Sequence, residues 1–154
     1  MSAANLQAGE EIEKLKDLVE DIDICHFCTN LKTGVGVTTR PMSAQKVDEE
    51  GNLWFFSNIN SDENRKIKTD KRMQLFFSHP SKSSYLVVNG EAEIIIDKNK
   101  TAELWTPLVK TCFKEGKDHP NISTIKVNTL TAYYWNREGN KMINFFKMIA
   151  SVAT

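Results

Sequence analysis

Hydroxyl, amide and basic side chains cluster where a strand-like segment passes into the start of a helix. The apolar run LWFF at 53–56 is followed, after a few polar residues, by SDEN at 61–64. Serine is a favoured N-cap residue, so Ser61 predicts a helix that begins there. The free backbone N–H groups of a helix start attract anions, so this junction is a candidate site for a phosphate.

One arginine lies in an otherwise uncharged extended segment earlier in the chain, TTRPM at 38–42. A solvated arginine at a strand end is one interpretation. The other is a guanidinium that grips a phosphate with two hydrogen bonds. The turn-like run DEEGN at 48–52 predicts a hairpin that brings Arg40, Ser57 and Ser61 to the same end.

Two acidic residues weigh against an anion at this helix start. Asp62 and Glu63 already supply negative charge to the helix dipole and would repel a phosphate. Lys66 follows Asp62 by four residues, which is the spacing of an ordinary ion pair within a helix. The residues alone therefore leave both interpretations open, a phosphate site and a simple helix start.

The run CHFC at 25–28 has the spacing of redox and metal sites. A strand over 24–29 places Cys25 and Cys28 on opposite faces, so they could not share a metal ion. A redox C-x-x-C motif usually opens a helix, and no helix is expected here. Two buried structural cysteines are the better interpretation. The three histidines are scattered, and we assign no catalytic residue.

Hydrophobic periodicity predicts the elements that would position these residues. Helices are predicted over 10–22, 61–69 and 97–105, with Asp97 as an N-cap and Pro107 just beyond or in a second piece. The segment 35–47 is predicted to be extended, with Pro41 interrupting or bending it, and Gly90 marks a bulge. The remaining strands are predicted over 24–29, 53–57, 73–78, 85–96, 122–135 and 141–148.

Six or seven strands joined mostly by short turns imply an antiparallel sheet. So many strands in a chain of 154 residues must curl into a barrel-like α+β fold, which we expect to form one domain over 1–154. Twenty basic residues balance twenty acidic residues, which argues against general nucleic-acid binding.

The sequence also indicates where in the cell the protein is expected. Apolar runs stay well short of the roughly 18 residues of a membrane span, and the N-terminus lacks the features of a signal peptide. We therefore expect a cytoplasmic protein with reduced thiols that does not bind a membrane.

Several motifs together resemble the FMN-binding split-barrel superfamily of pyridoxamine 5'-phosphate oxidase, and within it the general stress protein 26 branch. None is strict, but their order and spacing cover nearly the whole chain. The resemblance implies an α+β antiparallel split β-barrel of six to seven strands with flanking helices. It also implies a homodimer with FMN in two clefts at the subunit interface. The motifs are TTRPM at 38–42, LWFFSN at 53–58, SDEN at 61–64, MQLFFSHPSKSSYLVVNGEAEI at 73–94 and AYYWN at 132–136.

The resemblance assigns cofactor-binding roles by motif position. The arginine before the proline falls on Arg40, which would contact the flavin phosphate or ring. The aromatic-hydroxyl pair of the oxidases falls on Phe56 and Ser57, and a cross-pocket glutamine falls on Tyr85. The implied FMN-binding set is Thr39, Arg40, Pro41, Met42, Ser43, Phe56, Ser57, Ser61, Lys66 and Tyr85.

The chain also departs from the oxidases. Their Ser-Arg-Lys phosphate motif aligns with Ser61, Asp62 and Glu63, so acids replace two basic phosphate ligands. The lysine that helps to hold their substrate phosphate falls near Gln45. Their C-terminal Arg-x-His motif is missing from 133–154. A true pyridoxamine 5'-phosphate oxidase is therefore not expected.

Three functions remain as alternatives. The first is an FMN-binding flavoprotein of the general stress type, a flavin-dependent oxidoreductase that acts on an unknown small molecule. The second is a non-catalytic flavin-binding or flavin-buffering protein. The third is a split-barrel module that has lost flavin, which would suit Asp62 and Glu63. A flavin absorbance band would exclude the third, and NAD(P)H-dependent bleaching of that band would favour the first.

Overall fold

The computed structural model describes residues 8–29, 38–82, 84–110, 116, 119–136 and 141–147. Residues 35–37 of the predicted extended segment and residue 148 of the last predicted strand lie outside these residues. The helices are α1 (Ala8–Ile22), α2 (Asp62–Thr69), α3 (Lys98–Leu104) and α4 (Pro107–Lys110), with a 3-10 turn at Pro80–Lys82. The strands are β1 (Ile24–Thr29), β2 (Thr38–Ser43), β3 (Lys46–Val47), β4 (Leu53–Asn58), β5 (Arg72–His79), β6 (Ser84–Ile95), β7 (Ile122–Asn136) and β8 (Lys141–Lys147).

The described strands form one antiparallel sheet. Their order is β2-β1-β5-β6-β7-β4-β3, and β8 pairs with β7. The two strands at opposite ends of this order, β2 and β3, are separated along the chain by residues 44–45 alone. The sheet must therefore curl until its ends lie close together. This confirms the predicted α+β split barrel, with an eighth strand because β3 forms separately from β2.

The pairing around Arg40 differs from the prediction. The turn at 48–52 joins β4 to β3, whereas β2 pairs along its length with β1, with His26 opposite Pro41. Pro41 was predicted to interrupt or bend the segment; the strand runs through it and ends at Ser43, so it is not interrupted there, and the bend stays a prediction. Proline is tolerated there because β2 lies at the end of the strand order, where one N–H is not needed for pairing.

Asp48 stabilises the hairpin turn that leads into β4. Its carboxylate accepts hydrogen bonds of 2.9 Å from the backbone N–H groups of Glu50 and Asn52 and from Nε1–H of Trp54. Burial alone raises the pKa of Asp48, but the hydrogen bonds from Trp54, Asn52 and Glu50 outweigh it and leave the pKa below its ordinary value. The predicted turn is confirmed, and it fixes where β4 begins.

The main core lies inside the curled sheet and is covered by α1. Phe27 and Phe55 meet there edge to face, with ring centroids 5.2 Å apart. The predicted bulge at Gly90 is confirmed by a register shift between Asn89 and Gly90. A Cβ atom at Gly90 would lie 2.4 Å from the carbonyl oxygen of Asn128, so only glycine fits this position.

Cys25 and Cys28 are free and buried, as predicted. Cys25 packs in the main core, and burial, reinforced by Cys28, raises the pKa of its thiol. The Cys28 thiol donates a weak hydrogen bond of 3.5 Å to Oγ1 of Thr39. Within the described residues no three histidine, cysteine or acidic side chains come together as a possible metal site. No helix in that part of the chain is long and apolar enough to span a bilayer.

Candidate functional site

A pocket of about 490 Å³ opens where β2, β4 and the start of α2 meet. This volume lies in the range of roughly 300–1,000 Å³ that is common for small-molecule sites. Seven of the ten residues predicted to bind the cofactor lie in its wall, namely Arg40, Pro41, Met42, Ser43, Phe56, Ser57 and Ser61. The wall also contains residues outside the predicted set, which are Asp23, Ile24, Gln45, Asn58, Glu63 and Val109.

The junction between α1 and β1 forms one side of this pocket. Asp23 adopts a left-handed conformation with φ 53°, which turns the chain sharply out of the helix. Its carbonyl oxygen accepts a hydrogen bond of 2.9 Å from the backbone N–H of Ala44. This bond fixes the chain just after β2, so the strand that bears Arg40 and Met42 is held against the start of β1.

The two phenylalanines of β4 divide between core and pocket, as their alternation predicted. Phe55 is fully buried in the main core, whereas Phe56 lines the pocket. Phe56 packs edge to face against Trp105, with ring centroids 5.8 Å apart. Neighbouring residues of a strand point to opposite faces, so one short segment serves both surfaces.

Glu63 forms an ion pair with Arg40 across the pocket. Nη1 of Arg40 donates a hydrogen bond of 2.8 Å to Oε2 of Glu63. The glutamate side chain is only 10% exposed, whereas the arginine side chain is 56% exposed. The arginine expected to meet an anionic ligand therefore already contacts an internal carboxylate. Sequence reasoning identified both charges but did not pair them, because they lie 23 residues apart on different elements.

The other acid of the helix start lies outside the pocket wall. Asp62 is 64% exposed and pairs with Arg65, three residues later on α2. The predicted N-cap is confirmed, because Oγ of Ser61 accepts a hydrogen bond of 3.2 Å from the backbone N–H of Asn64. The predicted pairing of Asp62 with Lys66 stays a prediction.

A buried network of hydrogen bonds connects the pocket wall to α2 and β7. Ser57 and Ser123 are joined by a hydrogen bond of 2.7 Å between their hydroxyl oxygens. Nδ2 of Asn64 donates a hydrogen bond of 3.0 Å to the Ser123 hydroxyl. Asn64 and Ser123 are fully buried, so these bonds fix β4, β7 and α2 relative to each other. No local signal marked Ser123, since it lies 66 residues from Ser57.

Three residues of the predicted set lie outside the wall of this pocket. Thr39 is exposed and accepts the weak bond from Cys28. Lys66 is half-buried on α2. Tyr85 is 39% exposed on β6, opposite Ser78 of β5. Their cofactor-binding roles stay predictions.

Apolar side chains are exposed on the outer face of the sheet next to the pocket. Ile24 is 58% exposed, and Phe76 and Tyr85 are each 39% exposed. The register places them on one face, because Phe76 lies opposite His26 of β1 and Val87 of β6. A second depression of about 570 Å³ shares Ile24 and Pro41 with the pocket, so the two hollows adjoin.

Solved structures share this fold. A protein related to general stress protein 26 from Clostridium acetobutylicum superposes with a TM-score of 0.75 at 22% identity, covering 94% of this chain and 98% of that one. General stress protein 26 from Bacillus anthracis gives 0.69 at 18% identity, covering 86% and 97%. A general stress FMN/FAD binding protein from Xanthomonas citri gives 0.69 at 20% identity, covering 85% and 89%.

Sequence comparison extends the similarity beyond the fold. Protein bli-3 of Neurospora crassa is 25% identical over 112 residues, which are 67% of this chain and 53% of that protein. This chain therefore spans about half the length of that curated relative. The family model described as pyridoxamine 5'-phosphate oxidase like matches residues 10–154. Because this match covers most of the chain, including the strands of the pocket wall and the acidic start of α2, the chain belongs to the pyridoxamine 5'-phosphate oxidase-like family.

Proposed function

We propose that this chain binds FMN in the pocket between β2, β4 and α2 and acts as a flavin-dependent oxidoreductase of the general stress type in the cytoplasm. The observation that carries the proposal is the convergence of Arg40, Met42, Phe56 and Ser57 in one pocket. Similarity to a general stress FMN/FAD binding protein supports a flavin as the ligand.

The residues of the pocket fit a flavin in part. Apolar and aromatic side chains, among them Pro41, Met42 and Phe56, suit a flat ring system. Ser43 and Asn58 add hydrogen-bonding groups to the wall. The guanidinium of Arg40 carries five N–H donors, and its bond to Glu63 uses one of them. Because the arginine is more than half exposed, its remaining donors can bind a phosphate.

The chemistry divides between cofactor and protein. A bound flavin supplies the electron transfer, and the chain binds it, orients it and shields one side of it from water. The ionisable side chains in the described wall are Asp23, Arg40 and Glu63, and the last two are paired with each other. We therefore assign no acid or base catalyst, and the substrate is proposed only as a small molecule other than pyridoxamine 5'-phosphate.

A second candidate function is flavin binding without turnover. The Arg40–Glu63 pair favours it, because a carboxylate beside the arginine lowers the attraction for a phosphate. A flavin that is held loosely exchanges with solution, which suits a carrier or buffer. The two candidates share the pocket and differ in whether the bound flavin is reduced by a nicotinamide donor.

We expect apoprotein titrated with FMN to quench flavin fluorescence in a saturable manner. Anaerobic addition of NADH or NADPH to the complex should then bleach the flavin absorbance if the protein is an oxidoreductase. Saturable quenching without bleaching by either donor would support the carrier. Absence of quenching at millimolar FMN would contradict both functions and favour a split barrel that has lost flavin.

We also propose that the protein is a homodimer. The exposed apolar face of Ile24, Phe76 and Tyr85 lies beside the pocket, so a second copy on this face would cover the adjoining hollows. An obligate interface buries on the order of 2,000 Å² or more, and these exposed apolar side chains would supply part of that area.

Light scattering should give twice the chain mass of 17.5 kDa at micromolar concentration. Phe76→Asp should shift the protein to the monomer, because a charge would be buried in the proposed interface. Ile96→Asp is the matched control, since Ile96 is 63% exposed and follows the end of β6. A monomeric wild type, or equal dissociation of both variants, would contradict this face as the interface.

A further inference from the structure

We propose that Glu63 nearly cancels the contribution of the flavin phosphate to binding affinity, so that riboflavin binds about as well as FMN. The inference rests on the proposed flavin site, because it concerns the same pocket. It assigns Glu63 as a specificity-determining residue and names the ligand class as flavins with or without a phosphate.

The charges of the pocket wall do not favour a phosphate. Among the described lining residues, Arg40 is the only cation, whereas Asp23 and Glu63 are both acidic. Their formal sum is one minus two, or −1. A phosphate monoester carries roughly −1.5 to −2 charges at neutral pH. The wall therefore does not neutralise the phosphate of FMN, although it can accept an uncharged ribityl chain.

Glu63 lies where its charge would repel a phosphate bound by Arg40. Its carboxylate oxygen lies 2.8 Å from Nη1 of Arg40, so a phosphate on the same guanidinium would lie close to a like charge. Glu63 cannot easily turn into solvent, because its side chain is 10% exposed. Its neighbour Asn64 is fully buried and bonded to Ser123, which anchors this turn of α2.

A purely structural ion pair is the alternative role for Glu63. In that case its loss would lower stability and would affect both flavins alike, since the two ligands share the ring and the ribityl chain. A specificity role predicts a change for FMN alone. The chain offers a matched control in Asp62, which has the same charge at the same helix start but is 64% exposed and outside the pocket wall.

The test compares dissociation constants for FMN and riboflavin by fluorescence quenching in the wild type, Glu63→Gln and Asp62→Asn. We expect the two wild-type constants to agree within about threefold. Glu63→Gln should tighten FMN by about fivefold and change riboflavin by less than about twofold, while Asp62→Asn changes both by less than about twofold.

The wild type alone also tests the inference if a variant does not fold. Raising the salt concentration should leave FMN affinity unchanged or slightly tighter, because repulsion and attraction at the phosphate nearly cancel. A wild-type preference for FMN above about threefold, or a salt-induced loss of FMN affinity above about threefold, would overturn it. Equal changes in the FMN dissociation constant of Glu63→Gln and Asp62→Asn would overturn it as well. If neither flavin binds, the proposed function fails and this inference fails with it.

Discussion

Replacing Arg40 by alanine is expected to weaken FMN binding by about thirtyfold, the largest loss that we predict for any single side chain. Arg40 is the only cation in the described wall, and its removal leaves Asp23 and Glu63 to face the phosphate. A hydrogen bond to a charged group is worth about 1.5–3 kcal/mol, so losing one such bond accounts for an effect of this size.

Lys66→Ala provides the control for Arg40→Ala. Lys66 lies on α2 but outside the pocket wall, so its loss should change the FMN dissociation constant by less than about threefold. Riboflavin binding serves as a second control, because Arg40→Ala should affect the uncharged flavin far less. If the arginine variant and the wild type bind FMN equally well, Arg40 is not part of the site.

Arg40→Ala should also lower the thermal stability of the apoprotein slightly. The variant leaves Glu63 largely buried without the guanidinium that it contacts, and the cost is about 1 kcal/mol because Arg40 itself is half exposed. Circular dichroism measures this loss separately from flavin affinity, so a folded variant with weak FMN binding remains interpretable.

Replacing Glu63 by lysine is expected to tighten FMN binding by about tenfold, or roughly 1–2 kcal/mol. The substitution removes the carboxylate that contacts Arg40 and places a second cation in the pocket wall. The gain should shrink as salt is added, because its origin is electrostatic. Fluorescence titration with FMN at two salt concentrations measures both effects.

Asp62→Lys is the matched control for Glu63→Lys. It makes the same change of charge one residue earlier, at a side chain that is 64% exposed and faces Arg65. Both substitutions remove a favourable acid from the first turn of α2, which costs about 0.3–1 kcal/mol of stability. If the two variants tighten FMN equally, the effect comes from overall charge and not from the position of Glu63. Unchanged or weaker binding in Glu63→Lys would mean that Glu63 does not face the phosphate.

Local patterns in the sequence determined most of the elements of this protein. The helical spacing of α1, the N-cap at Ser61, the bulge at Gly90 and the opposite faces of Phe55 and Phe56 all followed from residues close together in the chain. Caps, turns and strand alternation depend on near neighbours, so the chain specifies them before it folds. The motifs within these elements also predicted the family.

The tertiary structure alone decided how these elements meet. The sequence placed β2 in a hairpin with β4, whereas the fold pairs β2 with β1 and brings it to the pocket by curling the sheet. The same curl pairs Arg40 with Glu63, whereas the direct pairing of β4 with β7 joins Ser57 to Ser123. Such contacts depend on the order and register of distant strands, which are set by burying one common core. The negative charge of Glu63 could therefore be read from the sequence, but its contact with the pocket arginine could not be predicted from it.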